Sequence, residues 1–107
     1  MSPTARSLEH LRALGYRAQV VERWNSFAKI RQDVFGADLI ALKPGQPVLV
    51  VQATSGANHA ARREKLDAAG FIALWTSVGA VLEVWSWSQQ GPRGKRKTWT
   101  LRREALT

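Results

Sequence analysis

The sequence predicts a single α/β domain spanning residues 1–107, and three observations support this fold class. The chain of 107 residues is long enough to build one hydrophobic core. Hydrophobic residues make up 45% of the chain, which argues against disorder. Helical and strand patterns follow one another in the order α-β-β-β-α-β-β-β, which is typical of a mixed sheet covered by helices.

The first helix is expected from Pro3 to Leu14. Leu8, Leu11 and Leu14 recur at helical spacing, so their side chains share one face. Proline is favoured in a first helical turn, and Gly15 follows as the stop. The next segment, YRAQVVERW, alternates apolar and polar residues and predicts the first strand. The segment NSFAKIRQDVFG is polar and mixed, and we expect a loop there.

The next two strands are expected in ADLIAL and VLVVQAT, joined by the turn KPGQP, where proline and glycine lie side by side. Because VLVVQAT shows no alternation, this strand is expected at the centre of the sheet with both faces covered. The segment SGAN then breaks the chain. A second helix is predicted in HAARREKLDAA, with Asn58 as its N-cap and Gly70 as its stop.

The last third of the chain predicts three more strands, in FIALWT, AVLEVWSW and TWTLRREAL, with room for a short terminal helix. A basic loop, SQQGPRGKRK, separates the last two strands. The chain has no cysteine, which excludes a disulfide scaffold and a thiolate nucleophile and favours the reducing cytoplasm. The N-terminus lacks the apolar core of a signal peptide, and no apolar run approaches the length of a membrane span, so we expect no membrane contact.

Charge points to the class of partner. The net charge is +8, from 16 Lys and Arg residues against 8 Asp and Glu residues, and this excess favours a polyanion, nucleic acid first. The basic loop is the expected phosphate contact, through Arg93, Lys95, Arg96 and Lys97. Five tryptophans leave two interpretations open: packing in the core or in a dimer interface, or stacking on bases.

The hairpin around the KPGQP turn groups three polar residues. If Ile40 faces Val50 across the hairpin, then Asp38 faces Gln52, with Cβ atoms about 5 Å apart. Thr54 lies two residues further along the strand and shares that face. A register slip of one residue would separate these side chains.

The order of elements and these residues resemble the PD-(D/E)xK nuclease superfamily, closest in layout to the archaeal-type Holliday-junction resolvases. Those enzymes have a Glu on the first helix, an Asp at a strand start, and Glu-x-Lys at the end of the next strand, followed by a helix. The matching positions are Glu9, Asp38, Gln52 and Thr54, and the likeness spans roughly Ser7–Trp75. The resemblance implies a restriction-endonuclease-like fold and a homodimer, because resolvases act on two-fold symmetric junctions.

The resemblance also implies a metal site for phosphodiester hydrolysis. Asp38, Gln52 and Glu9 would hold Mg²⁺ or Mn²⁺, which stabilises charge on the phosphate and activates the attacking water. Glu22, at the end of the first expected strand, is an alternative to Glu9. Asp33 ranks last among the acids, since it fits equally well as a cap of its own loop.

Two positions depart from the family pattern. Gln52 offers a carbonyl oxygen without charge, and Thr54 cannot supply the charge of the motif lysine. We expect a cation from the second helix or from the segment before Asp38 to take the place of the motif lysine. The N-terminus of the second helix adds a dipole that favours phosphate binding. The candidate cations are Arg62, Arg63 and Lys65, which are also candidate DNA contacts, and Lys29 and Arg31.

Three hypotheses for function follow. The first is a metal-dependent endonuclease that acts on branched or duplex DNA, with Holliday junctions as the most concrete substrate. The second is a non-catalytic nucleic-acid-binding module that keeps the nuclease fold, and the third is a protein-interaction subunit built on the tryptophans. His10 and His59 lack metal-ligand spacing, and we expect both at the surface. The candidate catalytic residues are Asp38, Gln52, Thr54, Glu9, Glu22, Arg63 and Lys65.

Overall fold

A mixed five-stranded sheet with helices against both faces organises the structure. The computed structural model describes all residues from Met1 to Thr107. A short 3-10 turn, Gly56–Asn58, precedes the second helix. The elements are α1 (Pro3–Ala13), β1 (Arg17–Val20), β2 (Arg23–Asn25), β3 (Ile30–Gln32), β4 (Leu39–Leu42), β5 (Leu49–Ser55), α2 (His59–Ala68), α3 (Phe71–Ser77), β6 (Val81–Gln90) and β7 (Thr98–Ala105).

The strands of the sheet lie in the order β1-β4-β5-β6-β7. Only β5 and β6 run parallel, and every other neighbouring pair is antiparallel. The expected central position of β5 is confirmed, since it lies in the middle of the sheet with a buried cluster on each face. A parallel pair needs a long crossover, and α2 with α3 provides it. None of the helices has the length and apolar character needed to cross a membrane.

The two faces of the sheet carry separate hydrophobic clusters. One cluster packs under α1 and includes Leu11, Val51 and Trp85. The other packs under α2 and α3 and includes Val50 and Leu66. Neighbouring residues of β5 therefore point to opposite faces, as the pleat requires. The face that carries Val50 is called the α2 face below, and it is the face on which the predicted polar residues lie.

The predicted register of the β4–β5 hairpin is confirmed. Ile40 pairs with Val50, and the backbone N–H of Asp38 donates to the carbonyl of Val51 at 2.8 Å. Gly45 closes the turn with a φ of +80°, a conformation in which glycine avoids the clash of a Cβ atom. Asp38 is thereby held beside β5 directly before β4 begins.

The expected strand FIALWT is wrong, because these residues form α3. The chain leaves α2 at Gly70, whose φ of +77° turns the backbone before α3 starts. Phe71, Ile72 and Trp75 then share a helical face and pack against the cluster under α2. An apolar run of this length fits a strand or a helix equally well from the sequence. In the structure the segment is helical and forms part of the crossover between the parallel strands β5 and β6.

The expected loop NSFAKIRQDVFG contains β3, and the first expected strand is divided between β1 and β2. Strands β2 and β3 pair with each other in a two-stranded hairpin outside the main sheet. The hairpin is missed from the sequence because it has no buried face, so its residues show no alternation of apolar and polar character. At the other end of the chain, β7 runs to Ala105 and no terminal helix follows.

A tight connection joins β3 to Asp38. Val34 and Ala37 form an isolated bridge, and the two residues between them, Phe35 and Gly36, have φ values of +51° and +83°. A Cβ atom at Gly36 would clash with a methyl group of Leu66 on α2, so the connection is packed directly onto that helix.

Candidate functional site

Asp38 and Gln52 form a buried hydrogen-bonded pair on the α2 face. Each side chain is only 5% exposed. Oδ2 of Asp38 accepts hydrogen bonds from Nε2 of Gln52 at 2.7 Å and from the backbone N–H of Ala53 at 2.9 Å. Both bonds reach the same oxygen, so Oδ1 of Asp38 keeps its full capacity to bind a ligand.

The amide of Gln52 is oriented by its neighbour. Because the carboxylate of Asp38 accepts hydrogen bonds, the nitrogen of the amide must face it. The carbonyl oxygen Oε1 then points away and accepts no hydrogen bond within the chain. Among the side-chain polar atoms that are fully buried, only Nε of Arg6 lacks a hydrogen-bond partner. Oδ1 of Asp38 and Oε1 of Gln52 also lack a partner within the chain, so neither atom is fully buried and both retain some solvent contact. One oxygen of each side chain is therefore left without a hydrogen bond within the chain.

Burial sets the charge state of Asp38. Loss of hydration raises the pKa of this carboxyl from 3.8 to about 7, against the opposing effect of the Ala53 N–H. The negative charge of Glu22 raises the pKa further, the hydrogen bond from Gln52 lowers it, and Asp33 adds a smaller increase. Glu22 and Asp33 therefore lie close enough for their charges to act on Asp38.

These two acids differ in what they can bind. Glu22 is 17% exposed, and its carboxylate lies 4.0 Å from the guanidinium of Arg31. The backbone N–H of the same residue is 3.4 Å from the carbonyl of Asp38, which ties the end of β1 to the start of β4. Asp33 accepts a hydrogen bond from the N–H of Gly36 at 3.1 Å, the loop-capping role foreseen as its alternative.

Glu9 lies elsewhere. It is exposed on α1, which packs on the opposite face of the sheet from Asp38 and Gln52, and it borders a shallow pocket with Arg6 and Trp87. Nowhere in the structure do three Asp, Glu, His or Cys side chains converge in a group that could hold a metal ion. Of the two acids, Glu22 is the one whose charge acts on Asp38, whereas Glu9 lies on the other side of the sheet.

Thr54 is buried on the α2 face, next to Ser86 in the parallel ladder between β5 and β6. Of the candidate cations on α2, Arg63 turns toward β7, where its Nε lies 3.6 Å from Glu104. Arg62 is partly exposed and makes no ion pair.

A groove of about 640 Å³ runs between β3 and the helical layer. Lys65 of α2 lines one side of this groove, which makes it the α2 cation that borders the segment before Asp38. The other side is lined by Arg23, Arg31, Gln32, Asp33 and Phe35, among others. The cations that border these acids are thus Arg31, which lies 4.0 Å from Glu22, and Lys65, which lines the same groove as Asp33.

The basic loop between β6 and β7 is exposed along its length. Lys97 donates to the carbonyl of Gly91 at 3.0 Å, which closes the loop. Arg93, Lys95 and Arg96 make no ion pair within the chain, so their charges are available to a polyanion.

The expected surface position of His59 is wrong. Its side chain is 2% exposed, with Nδ1 at 2.6 Å from Oγ of Ser86 and Nε2 at 2.9 Å from Oε1 of Glu104. The hydrogen bond from His59 is the main cause that lowers the pKa of Glu104. This relay fastens the first turn of α2 to β6 and β7. The sequence signal is slight: a histidine at a helix start, directly after a Ser-Gly break.

His10 is partly buried, and its ring packs edge-on against Trp85 and Trp87 at centroid distances of 5.6 and 5.8 Å. Both of these tryptophans are buried, as the packing interpretation expects. Trp24 and Trp99 are 60% and 46% exposed, so two of the five tryptophans keep a free surface.

No protein-family model matches this chain, and neither the curated proteins nor the solved structures include a significant match.

Proposed function

We propose that this protein is a metal-dependent DNA endonuclease with a restriction-endonuclease-like fold, and that its site is built on Asp38 and Gln52. The observation that carries the proposal is the buried Asp38–Gln52 pair, joined by a hydrogen bond of 2.7 Å, in which Oδ1 of Asp38 and Oε1 of Gln52 accept no hydrogen bond within the chain. The net charge of +8 supports a polyanionic substrate. The cysteine-free composition fits a cytoplasmic site of action.

The donor set fits Mg²⁺ or Mn²⁺. These cations take oxygen ligands, and Mg²⁺ usually keeps several waters and binds through one or two carboxylates together with substrate phosphate. Asp38 and Gln52 supply an anionic and a neutral oxygen, and Glu22 supplies the second carboxylate. A cation bound there would stabilise negative charge on the phosphate and lower the pKa of a bound water.

The chain itself prepares this site in two ways. The Ala53 N–H and the Gln52 amide fix the orientation of the Asp38 carboxylate without using its second oxygen. Arg31 and Lys65 line the adjoining groove with positive charge, where a phosphate oxygen would be stabilised in place of the motif lysine. The fold supports the same assignment, because the strand that carries Gln52 leads into a helical crossover to a parallel neighbour.

A specific observation favours the second candidate, a non-catalytic nucleic-acid-binding module. Gln52 and Thr54 carry no charge where the nuclease pattern has two, and three metal-ligating side chains do not converge. Both candidates predict DNA binding that weakens steeply as the salt concentration rises. They differ only in cleavage.

One experiment separates the two candidates. The wild-type protein, Asp38→Asn and Asp67→Asn are incubated with a four-way junction, duplex DNA and single-stranded DNA, in Mg²⁺, Mn²⁺ or EDTA. We expect metal-dependent cleavage by the wild type and by Asp67→Asn, the matched change at an exposed carboxylate of α2. We expect Asp38→Asn to lose activity by at least about a hundredfold, since it removes the charged metal ligand.

One outcome would contradict the site and another the endonuclease itself. Cleavage that persists in Asp38→Asn would show that the site lies elsewhere. Salt-sensitive binding without cleavage in any metal would favour the non-catalytic module. The homodimer that the resemblance implies is tested by sedimentation of the free protein and of its junction complex in the same samples.

A further inference from the structure

The β2–β3 hairpin, residues 23–32, exposes apolar surface that the core does not explain. Phe27 at its tip is 99% exposed, Trp24 is 60% exposed and Ile30 is 50% exposed. Three large apolar side chains together on one projecting element are unusual for the surface of a soluble domain and mark an interaction site.

The tip of the hairpin has a defined shape. Oδ1 of Asn25 accepts hydrogen bonds from the backbone N–H groups of Phe27 and Ala28 at 3.0 and 3.1 Å. Nδ2 of the same asparagine donates to Oε1 of Gln32 at 3.1 Å, across the two strands. These bonds hold the turn closed, so the ring of Phe27 is presented to solvent in advance of binding and loses little freedom when it binds.

The charge of the hairpin identifies the class of partner. Arg23, Lys29 and Arg31 are all exposed, and the segment 23–32 contains no Asp or Glu. Aromatic side chains interleaved with cations are the combination that binds unpaired nucleotides, because bases stack on the rings while phosphates contact the cations. A neutral or basic protein partner would not be matched by this charge.

The hairpin starts and ends at the candidate site. Its first residue follows Glu22 and its last residue precedes Asp33, the two acids whose charges act on Asp38. The groove of about 640 Å³ that Lys65 borders is lined on its other side by Arg23 and Arg31 of the hairpin. A polynucleotide in this groove would contact Lys65, Asp33 and the hairpin together.

We propose that the β2–β3 hairpin is a base-stacking wedge, which holds an unpaired nucleotide against Phe27 and Trp24 beside the Asp38–Gln52 site. The proposal rests on the nucleic-acid binding in the proposed function, and it specifies the substrate as DNA with unpaired or unstacked bases next to a duplex. Aromatic and aliphatic side chains inserted at such steps replace the lost base stacking.

The test compares three labelled DNA probes by fluorescence anisotropy in EDTA: a duplex with a central three-nucleotide bulge, the same duplex fully paired, and a four-way junction. The variants are Phe27→Ser, Phe27→Trp and, as a control at another exposed aromatic residue, Trp99→Ser. We expect Phe27→Ser to weaken binding to the bulged duplex about fivefold to a hundredfold, and binding to the paired duplex less than twofold. Phe27→Trp should retain the preference for the bulge, and Trp99→Ser should not change it.

A direct readout accompanies the affinities. A 2-aminopurine placed in the bulge should change its fluorescence on binding the wild type and Phe27→Trp, and show a smaller change with Phe27→Ser. Because Phe27 is almost fully exposed, Phe27→Ser should unfold at the same temperature as the wild type.

Three results would overturn the wedge. One is an unchanged ratio of bulged to paired affinity in Phe27→Ser. Another is a change from dimer to monomer in that variant, which would make the hairpin a contact between copies of the chain. The last is a failure to bind any of the probes, which would remove the nucleic-acid function as well. Preference for the bulge without cleavage in any metal would keep the wedge and remove only the endonuclease.

Discussion

The carboxyl of Asp38 costs the metal-free fold free energy at neutral pH. In the unfolded chain this group ionises at its ordinary pKa of 3.8, whereas burial raises the pKa to about 7 in the folded protein. Between these values the folded state binds more protons than the unfolded state, so stability falls as the pH rises. Above about pH 7 both states are ionised and the cost becomes constant.

Asp38→Asn should therefore stabilise the metal-free protein at pH 8. One pKa unit corresponds to about 1.4 kcal/mol, so the upper limit of the gain is about 4 kcal/mol. Asparagine keeps an oxygen that can accept from Gln52 and Ala53, and it carries no charge to bury. Urea unfolding in EDTA should show the gain at pH 8 and its disappearance near pH 4. A variant less stable than the wild type at pH 8 would mean that the carboxylate is not desolvated as described.

The adjacency of Asp38 and Gln52 could be predicted from the sequence, because a short hairpin with a glycine-containing turn permits few registers. Among these registers, the pairing of Ile40 with Val50 keeps apolar residues on the covered faces of the sheet. The charge state of Asp38 could not. It depends on how completely the surrounding elements exclude water, and on Glu22 and Asp33, which the fold brings near it.

At the scale of elements, α2 is fastened at its start by a polar relay and further along by Leu66. His59 joins Ser86 of β6 to Glu104 of β7, and its side chain is 2% exposed. Removal of a buried partner leaves the remaining polar groups without hydrogen bonds, which costs more than the bonds themselves contribute. The attachment of α2 should therefore depend strongly on this one side chain.

We expect His59→Ala to lower the free energy of unfolding by about 2–4 kcal/mol, through a cavity and an unpaired Ser86 hydroxyl. Arg63→Ala is the matched control. The Arg63 side chain also pairs with Glu104, with 3.6 Å between Nε and the carboxylate, but it is 59% exposed. Exposed ion pairs contribute at most about 1 kcal/mol, so this control should be close to wild type. Equal losses in the two variants, measured by urea unfolding, would contradict the relay as the anchor of α2.

Helix α3 and the β2–β3 hairpin show where sequence patterns fail at this scale. The segment FIALWT has no polar residue until its last position, so its period cannot be determined from the sequence. The hairpin has the opposite problem, since neither of its faces is buried and its strands carry no alternation. In both cases the local structure depends on the rest of the sheet: α3 lies in the crossover between β5 and β6, and the hairpin lies outside the main sheet.

At the scale of the whole molecule, the sheet separates the candidate acids into two groups. Glu9 lies on the side of α1, and Glu22 lies by Asp38 on the other side. The face of the sheet that a helix covers depends on the path of the whole chain. The sequence pattern could therefore predict that Glu9 lies on a helix, but not that this helix lies near Asp38. The sequence identified both acids as candidates and could not choose between them.

Glu22→Gln should weaken the binding of Mn²⁺ and Mg²⁺ about tenfold, and Glu9→Gln should leave it unchanged. A ligand that binds the folded state raises the unfolding temperature in proportion to the logarithm of its concentration, so thermal unfolding at increasing metal concentration measures both affinities. The reverse order of effects would restore Glu9 as the ligand and would require α1 to move toward Asp38.

The short connection from Val34 to Ala37 has a further consequence. Its bridge, its two left-handed residues and its packing on Leu66 leave little slack between the hairpin and the start of β4. We therefore expect displacement of the hairpin tip to move the backbone of Asp38 as well. If a ligand at the tip changes the affinity of Asp38 for a cation, the cation must change the affinity of the tip for that ligand by the same factor, because binding at two coupled sites is reciprocal.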